Sequence, residues 1–262
     1  MYPLLFELGP VKLYTYGLMM AIGFLAAIQW SAHRATRYGV SPEFISNLGM
    51  WIILAGIVGG RLAFLAIEES PADIFSLKFF EIWKGGMVFY GGFIGAVLIS
   101  VWYSRKNKVN FFTVADIMSP ALALGHFFGR IGCTFAGCCF GKQCELPWAI
   151  TFTNPLSLAP LNVALHPTQL YDAFSNLLII GILLLIEKKS KNRFRGQIFV
   201  YYLGLYAIGR SIVEDFRGDS SRGFVDFWGI YPNEWLSTST FIGILMLATA
   251  IGLYFKLRTQ KI

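Results

Sequence analysis

The sequence predicts an all-α integral membrane protein: a bundle of about seven transmembrane helices, N-terminus outside, C-terminus cytoplasmic, with a small outward-facing cap. Three observations carry this. Of 262 residues, 55% are hydrophobic and 14% charged, and the mean hydropathy of +0.57 lies far outside the soluble range. Apolar runs of about 20 residues recur along the chain, and helices satisfy their own backbone hydrogen bonds in lipid. The basic residues gather in alternate segments between these runs. The formal charge of +7 therefore reads as a topology signal, and no nucleic-acid partner is expected.

The first run, 13–32, reads as a retained span, because residues 1–11 lack a basic n-region and no small-residue cleavage pattern follows it. Further runs at 45–67, 87–103, 114–128, 168–186, 198–213 and 235–255 complete the seven, the fourth being short. Arg34 and Arg37, then Arg105, Lys106 and Lys108, then Lys188, Lys189, Lys191, Arg193 and Arg195, and finally Lys256, Arg258 and Lys261 mark one side as cytoplasmic. The segments 68–86, 131–167 and 214–234 then face outward. Long loops of this kind usually carry function. The 131–167 segment holds Pro147, Pro155, Pro160 and Pro167, so it reads as a cap with short extended pieces such as 148–152 rather than one helix. Residues 78–84, KFFEIWK, read as an interfacial amphipathic helix. No repeat or linker divides residues 1–262, which are expected to form a single polytopic domain.

The chemistry is expected around residues 125–141, GHFFGRIGCTFAGCCFG, where an apolar segment ends in Arg130 and a glycine- and cysteine-rich loop follows. An arginine at a bilayer needs an anion, water or a partner. Arg61, Asp116, His126, His166, Arg210, Glu214, Asp215 and Arg217 also lie in or beside the spans. Arg210 with Glu214 is an i, i+4 helix pair, and Asp116 is expected to serve one of the arginines. An architectural role suits Arg61 and Asp116. What remains is a cationic pocket of Arg130, Arg210 and Arg217, and guanidinium forks suit phosphate, so an anionic phospholipid headgroup is the expected ligand. His126 and His166 read either as base or headgroup ligand, or as capping and packing residues. Gly59 and Gly60 read as close helix packing, whereas Gly91 and Gly92, beside Tyr90, read as packing or as backbone approach to a ligand.

Cys133, Cys138, Cys139 and Cys144 form a C-x4-CC-x4-C pattern. A disulfide staple suits an outward loop. Metal ligation is disfavoured by the lack of C-x2-C pairs or an intervening histidine. A catalytic thiol, with Cys138 as the candidate, and reduced, packed thiols complete the readings.

The run GRIGCTFAGCCFG resembles the signature of the prolipoprotein diacylglyceryl transferases. Four further stretches resemble that family in order: LYTYGLMMAIGF with Tyr16, GGMVFYGGFIG with Tyr90, HPTQLYDA from His166, and YAIGRSIVEDFRGD from Tyr206. The resemblance spans nearly the whole chain. It implies transfer of a diacylglyceryl group from phosphatidylglycerol to the lipobox cysteine of a preprolipoprotein in the bacterial inner membrane, with no cofactor or metal. It carries over Arg130 and Arg210 as essential arginines, Gly141 as the closing glycine, and Tyr16 and Tyr206 as site tyrosines. Arg61, Gly91, Gly92, Cys133, Cys138 and Arg217 join them as candidate headgroup contacts. The chain departs from the family pattern at Tyr90, where a histidine is usual, at Cys133, where asparagine is usual, and at Cys138, where glutamate is usual. Either Tyr90, His126 or His166 replaces the missing base, or the arginine field alone activates the thiol. A different acceptor, or binding and transport of anionic lipid without chemistry, are the rival readings.

Overall fold

The computed structural model describes residues 1–8, 11–69, 74, 76–81, 85–190, 194–219 and 237–259. Lys191, Arg193, Lys261, the end of the KFFEIWK segment, most of the 214–234 loop and the start of the seventh run lie outside the described residues. Each of the seven apolar runs is a helix: α1 Thr15–Ala35, α2 Pro42–Ile67, α3 Phe89–Lys106, α4 Phe111–Ala136, α5 Thr168–Lys189, α6 Gln197–Glu214 and α7 Thr238–Arg258. Five of them (α1, α2, α4, α5 and α7) are long and apolar enough to cross a membrane. The other two have 18 residues each. Large apolar side chains such as Leu25, Leu54, Leu98, Leu178 and Phe255 lie exposed along the helices, a surface suited to lipid. The chain is a multi-pass membrane protein.

Short strands add to the helices. At the N-terminus β1, Leu4–Leu8, pairs antiparallel with β2, Val11–Tyr14. The Thr15 hydroxyl ties the start of α1 back to the Tyr2 carbonyl at 2.5 Å. In the cap, the extended piece expected at 148–152 is present as β3, Ile150–Thr151, paired with β4, Ala164–Leu165, and Phe152 bridges to Leu161. Phe152, Ala159 and Leu165 form a small buried core there.

The chain divides into two compact units, 1–27 with 115–262, and 28–114. In the second unit α2 and α3 approach through glycine. A Cβ on Gly59 would collide with the Gly91 carbonyl oxygen, one on Gly92 would lie 2.9 Å from the Gly56 oxygen, and one on Gly95 would lie 2.5 Å from the Ala55 oxygen. Small residues here let backbones meet where lipid offers no hydrophobic drive. The buried Arg61 donates to the carbonyls of Lys78 at 2.5 Å, Phe79 at 3.3 Å, Gly85 at 2.7 Å and Gly86 at 3.1 Å. Its guanidinium thus fastens residues 78 and 79 and residues 85 and 86. The amphipathic helix expected over 78–84 is a single 3-10 turn, Leu77–Phe80, in the described residues.

In the first unit α1 meets α4 at Gly23, whose Cβ would lie 3.0 Å from Phe128 Cβ and 3.1 Å from the Gly125 oxygen. Ala123, Ile179, Leu183, Ile198 and Tyr202 form the core joining α4, α5 and α6. Asp116 accepts from the backbone N–H groups of Gly196 at 2.8 Å and Phe199 at 2.9 Å. A carboxylate at a helix N-terminus satisfies orphan donors and opposes the positive dipole end, which explains a buried acid in this position.

Helix approach through glycine gives the first prediction. Gly59→Val places atoms inside the α3 backbone and is expected to lower stability by about 1–3 kcal/mol, read as a fall in Tm in detergent micelles. Gly181→Ala, where no atom lies within 4 Å of the added Cβ, is expected to leave Tm unchanged or raise it. Equal Tm values for wild type and Gly59→Val would contradict the packing argument.

Candidate functional site

The glycine-rich run does not end a helix at Arg130. Helix α4 continues through it to Ala136, so Arg130 and Cys133 are both helical, and the chain leaves the helix at Gly137 with φ 76°. The Gly137 N–H closes the end on the Cys133 carbonyl at 2.9 Å. The glycines before that point admit α1: a Cβ on Gly132 would lie 3.1 Å from Met19 Cβ and 3.2 Å from the Tyr16 ring, and one on Gly129 would lie 3.4 Å from the Met20 sulfur. They break nothing because helix–helix packing repays their weak propensity.

Two arginines are then presented on adjoining helices. Arg130 Nε donates to Asp172 of α5 at 2.9 Å, with both side chains largely buried. Arg210 of α6 forms the expected i, i+4 pair with Glu214 at 2.7 Å, and its Nη2 also donates to Ser239 Oγ at 3.0 Å. Its Nη1 is buried and finds no acceptor among the described residues. One turn before each arginine stands a ring, His126 on α4 and Tyr206 on α6. The two rings stack with centroids 5.1 Å apart and planes 15° from parallel. The charges of Arg130, Asp172 and Arg210 all act on His126. His126, Arg130, Asp172, Tyr206 and Arg210 therefore form one polar layer in a helical interior.

Beside it lie the thiols. All four cysteines are free. Gly137 and then Cys139, with φ 57°, turn the chain back, and the sulfurs of Cys133, Cys138 and Cys139 fall within 4.8 Å of one another. The turn is pinned by its backbone: Thr168 Oγ1 donates to the Cys139 carbonyl and Gln169 Nε2 to the Cys138 carbonyl, each at 2.8 Å. Hydrogen bonds from Cys133 and Cys138, aided by the fields of Arg130 and Arg217, hold the Cys139 thiol far below its ordinary range against the effect of burial. Cys138, hydrogen-bonded to Cys133 and Cys139 and partly buried, is pushed far above it. Tyr16, from the first turn of α1, lies over Gly132 and feels the charges of the three sulfurs and of Arg130.

The other candidates distribute as follows. Arg217 is held by Asp219 through two donors, Nε at 2.8 Å and Nη2. Gly141 sits where three passages of chain cross: its N–H donates to the His166 carbonyl at 3.1 Å, the next N–H to Phe216 at 2.9 Å, and a Cβ on it would lie 2.5 Å from the His166 oxygen. His166 Nδ1 lies 3.2 Å from the Tyr171 hydroxyl, which accepts from Trp148 Nε1 at 2.8 Å. That places His166 in an aromatic cluster with Tyr171 and Phe216. Tyr90, Gly91, Gly92 and Arg61 belong to the second unit. There Tyr90 is half exposed at the start of α3, Gly91 and Gly92 abut α2, and Arg61 is engaged by main-chain carbonyls.

Sequence reasoning did not single out Asp172 or Asp219. Asp172 stands inside HPTQLYDA, yet nothing local to it points across to Arg130. Asp219, two residues after Arg217, was within reach of a spacing argument.

Removing the partner of a buried charge is expected to be costly. Asp172→Ala leaves the Arg130 guanidinium unpaired and is expected to destabilise by roughly 3–5 kcal/mol, while Asp172→Asn, which keeps an acceptor, costs less. Thermal unfolding in micelles checks the order, and a silent Asp172→Ala would refute the pairing.

Comparison with known proteins identifies the family. The sequence profile described as prolipoprotein diacylglyceryl transferase matches residues 3–256. A phosphatidylglycerol–prolipoprotein diacylglyceryl transferase of Clostridium tetani is 36% identical over 97% of this chain and 97% of its own length. A second, of Clostridium perfringens, is 35% identical over 95% and 92%, and a third, of Pseudomonas putida, 33% identical over 99% and 95%. A match of this extent, on a chain whose signature run carries the buried arginine and the crossing glycine, shows that the protein belongs to the prolipoprotein diacylglyceryl transferase family.

Proposed function

We propose that this protein transfers the diacylglyceryl group of phosphatidylglycerol to the lipobox cysteine thiol of a preprolipoprotein, forming a thioether and releasing glycerol-1-phosphate as the first step of lipoprotein maturation. The observation that carries the reading is the buried Nη1 of Arg210, a donor without an acceptor among the described residues, in the same layer as Arg130. A phosphodiester supplies such an acceptor. A guanidinium aimed at it does more than bind, because sulfur attack on the glyceryl carbon expels a phosphate monoester and charge grows on the leaving oxygen. Donors already fixed by Asp172, Glu214 and Ser239 need no reorganisation as that charge develops.

Tyr206 within this layer and Tyr16 beside the thiols are the tyrosines available to the headgroup. The acceptor thiol, with an ordinary pKa of ~8.5, reacts as its thiolate and so needs a base or a positive field. Tyr90, His126 and His166 remain the side-chain candidates for the base. The reaction is assigned to the outer leaflet of the cytoplasmic membrane, a placement supported by the basic residues at the ends of α3, α5 and α7.

The test uses purified protein in micelles containing phosphatidylglycerol, a synthetic lipobox peptide, and mass spectrometry of the peptide cysteine. Arg210→Ala is expected to slow transfer by at least about a hundredfold, and Arg210→Lys to recover little because an ammonium cannot reproduce the fork. Turnover close to wild type in Arg210→Ala would sink the headgroup role, and absence of any addition by wild type would sink the proposed reaction.

A further inference from the structure

A phosphate pocket accounts for the arginines but leaves three convergent thiols without a task. Their sulfurs lie within 4.8 Å of one another, on a turn whose carbonyls are held by Thr168 and Gln169. Cys133 is buried, while Cys138 and Cys139 are partly accessible. We propose that Cys133, Cys138 and Cys139 form a tris-thiolate site for a zinc-class divalent ion, with the fourth coordination position left for the sulfur of the acceptor cysteine. The proposal rests on the transferase reading above and deepens it by naming what activates the acceptor.

The geometry suits the ion. Zinc–sulfur bonds of about 2.3 Å in a tetrahedron set sulfurs about 3.8 Å apart, so the thiols need close by no more than about an ångström. Among the described residues no further histidine, cysteine or carboxylate joins this group. Three protein ligands and one open position is the pattern of catalytic rather than structural zinc. The charge also balances: three thiolates around a divalent ion carry one net negative charge, and Arg130 and Arg217 both act on this cluster. The sequence spacing hid the site, because the convergence is made by the two left-handed residues Gly137 and Cys139 and not by a C-x2-C turn.

The chemistry needs no separate base. A thiol that ligates zinc is deprotonated, its proton passing to solvent. The coordinated sulfur then uses an electron pair to form the bond to the glyceryl carbon. The carbon–oxygen bond to phosphate breaks, and its electron pair stays on the phosphate oxygen, which leaves as glycerol phosphate beside Arg130 and Arg210. The product thioether is a weak ligand and departs, leaving the ion divalent throughout. Two other uses of the thiols fit less well. A disulfide would pair two of the three and strand the third, and a diacylglyceryl thioether on an enzyme cysteine would be a dead end, since its thiolate is a poor leaving group.

The experiment measures metal directly. Wild-type protein purified without chelator is expected to hold about one zinc per chain, to lose it with Cys138→Ser or Cys139→Ser, and to keep it with Cys144→Ser. After chelation and loading with cobalt(II), a sulfur-to-cobalt charge-transfer band is expected, and it should intensify when a lipobox peptide is added without phosphatidylglycerol, but not when serine replaces the peptide cysteine. Full transfer activity in chelated, metal-free wild type would overturn the proposal, as would a disulfide within the trio in active protein or a cobalt spectrum indifferent to the peptide thiol. A spectrum that responds to the thiol, with no lipid transferred by the zinc-loaded protein, would sustain the site and overturn the transferase reading instead.

Discussion

Placing positive charge among apolar helices is the constraint that the rest of the first unit answers to. A guanidinium in a helical membrane interior is tolerated when fixed acceptors or counter-charges meet it. Asp172 meets that need for Arg130 from a neighbouring helix, and Glu214 meets it for Arg210 from one turn further along the same helix. Both arginines are thereby held, and Arg210 keeps a buried Nη1 with no acceptor among the described residues. Because helix neighbours recur every three to four residues, the rings of His126 and Tyr206 fall one turn from each arginine and stack, which locks α4 against α6 at that level. The same contacts that make the charges tolerable also aim them.

Arg61 shows the alternative outcome for the same residue type. It too is buried, yet its partners are four main-chain carbonyls of one short segment, so its charge is dispersed over dipoles and its geometry organises backbone. Residue type and burial alone do not say what a buried arginine holds in place; its acceptors do.

What could be read from the sequence follows the range of the interaction concerned. Hydropathy is a local property, and all seven helices stand where the apolar runs placed them. The i, i+4 pair of Arg210 and Glu214 was legible for the same reason. The end of α4 was not, because a run of glycines reads locally as loop, whereas Gly129 and Gly132 are there to admit α1. Asp116 illustrates the limit: two of the groups it accepts from, the amides of Gly196 and Phe199, lie some eighty positions away, and no spacing rule reaches that far. The gathering of the three thiols depends on two backbone conformations that composition does not announce.

The turn after α4 is held through main-chain oxygens: Thr168 and Gln169 grip the carbonyls of Cys138 and Cys139 and leave their side chains untouched. A scaffold fastened in this way is indifferent to what it displays. The grip on the turn does not depend on which side chains stand at 138 and 139, so a substitution there changes what the loop displays while Thr168 and Gln169 keep their hold.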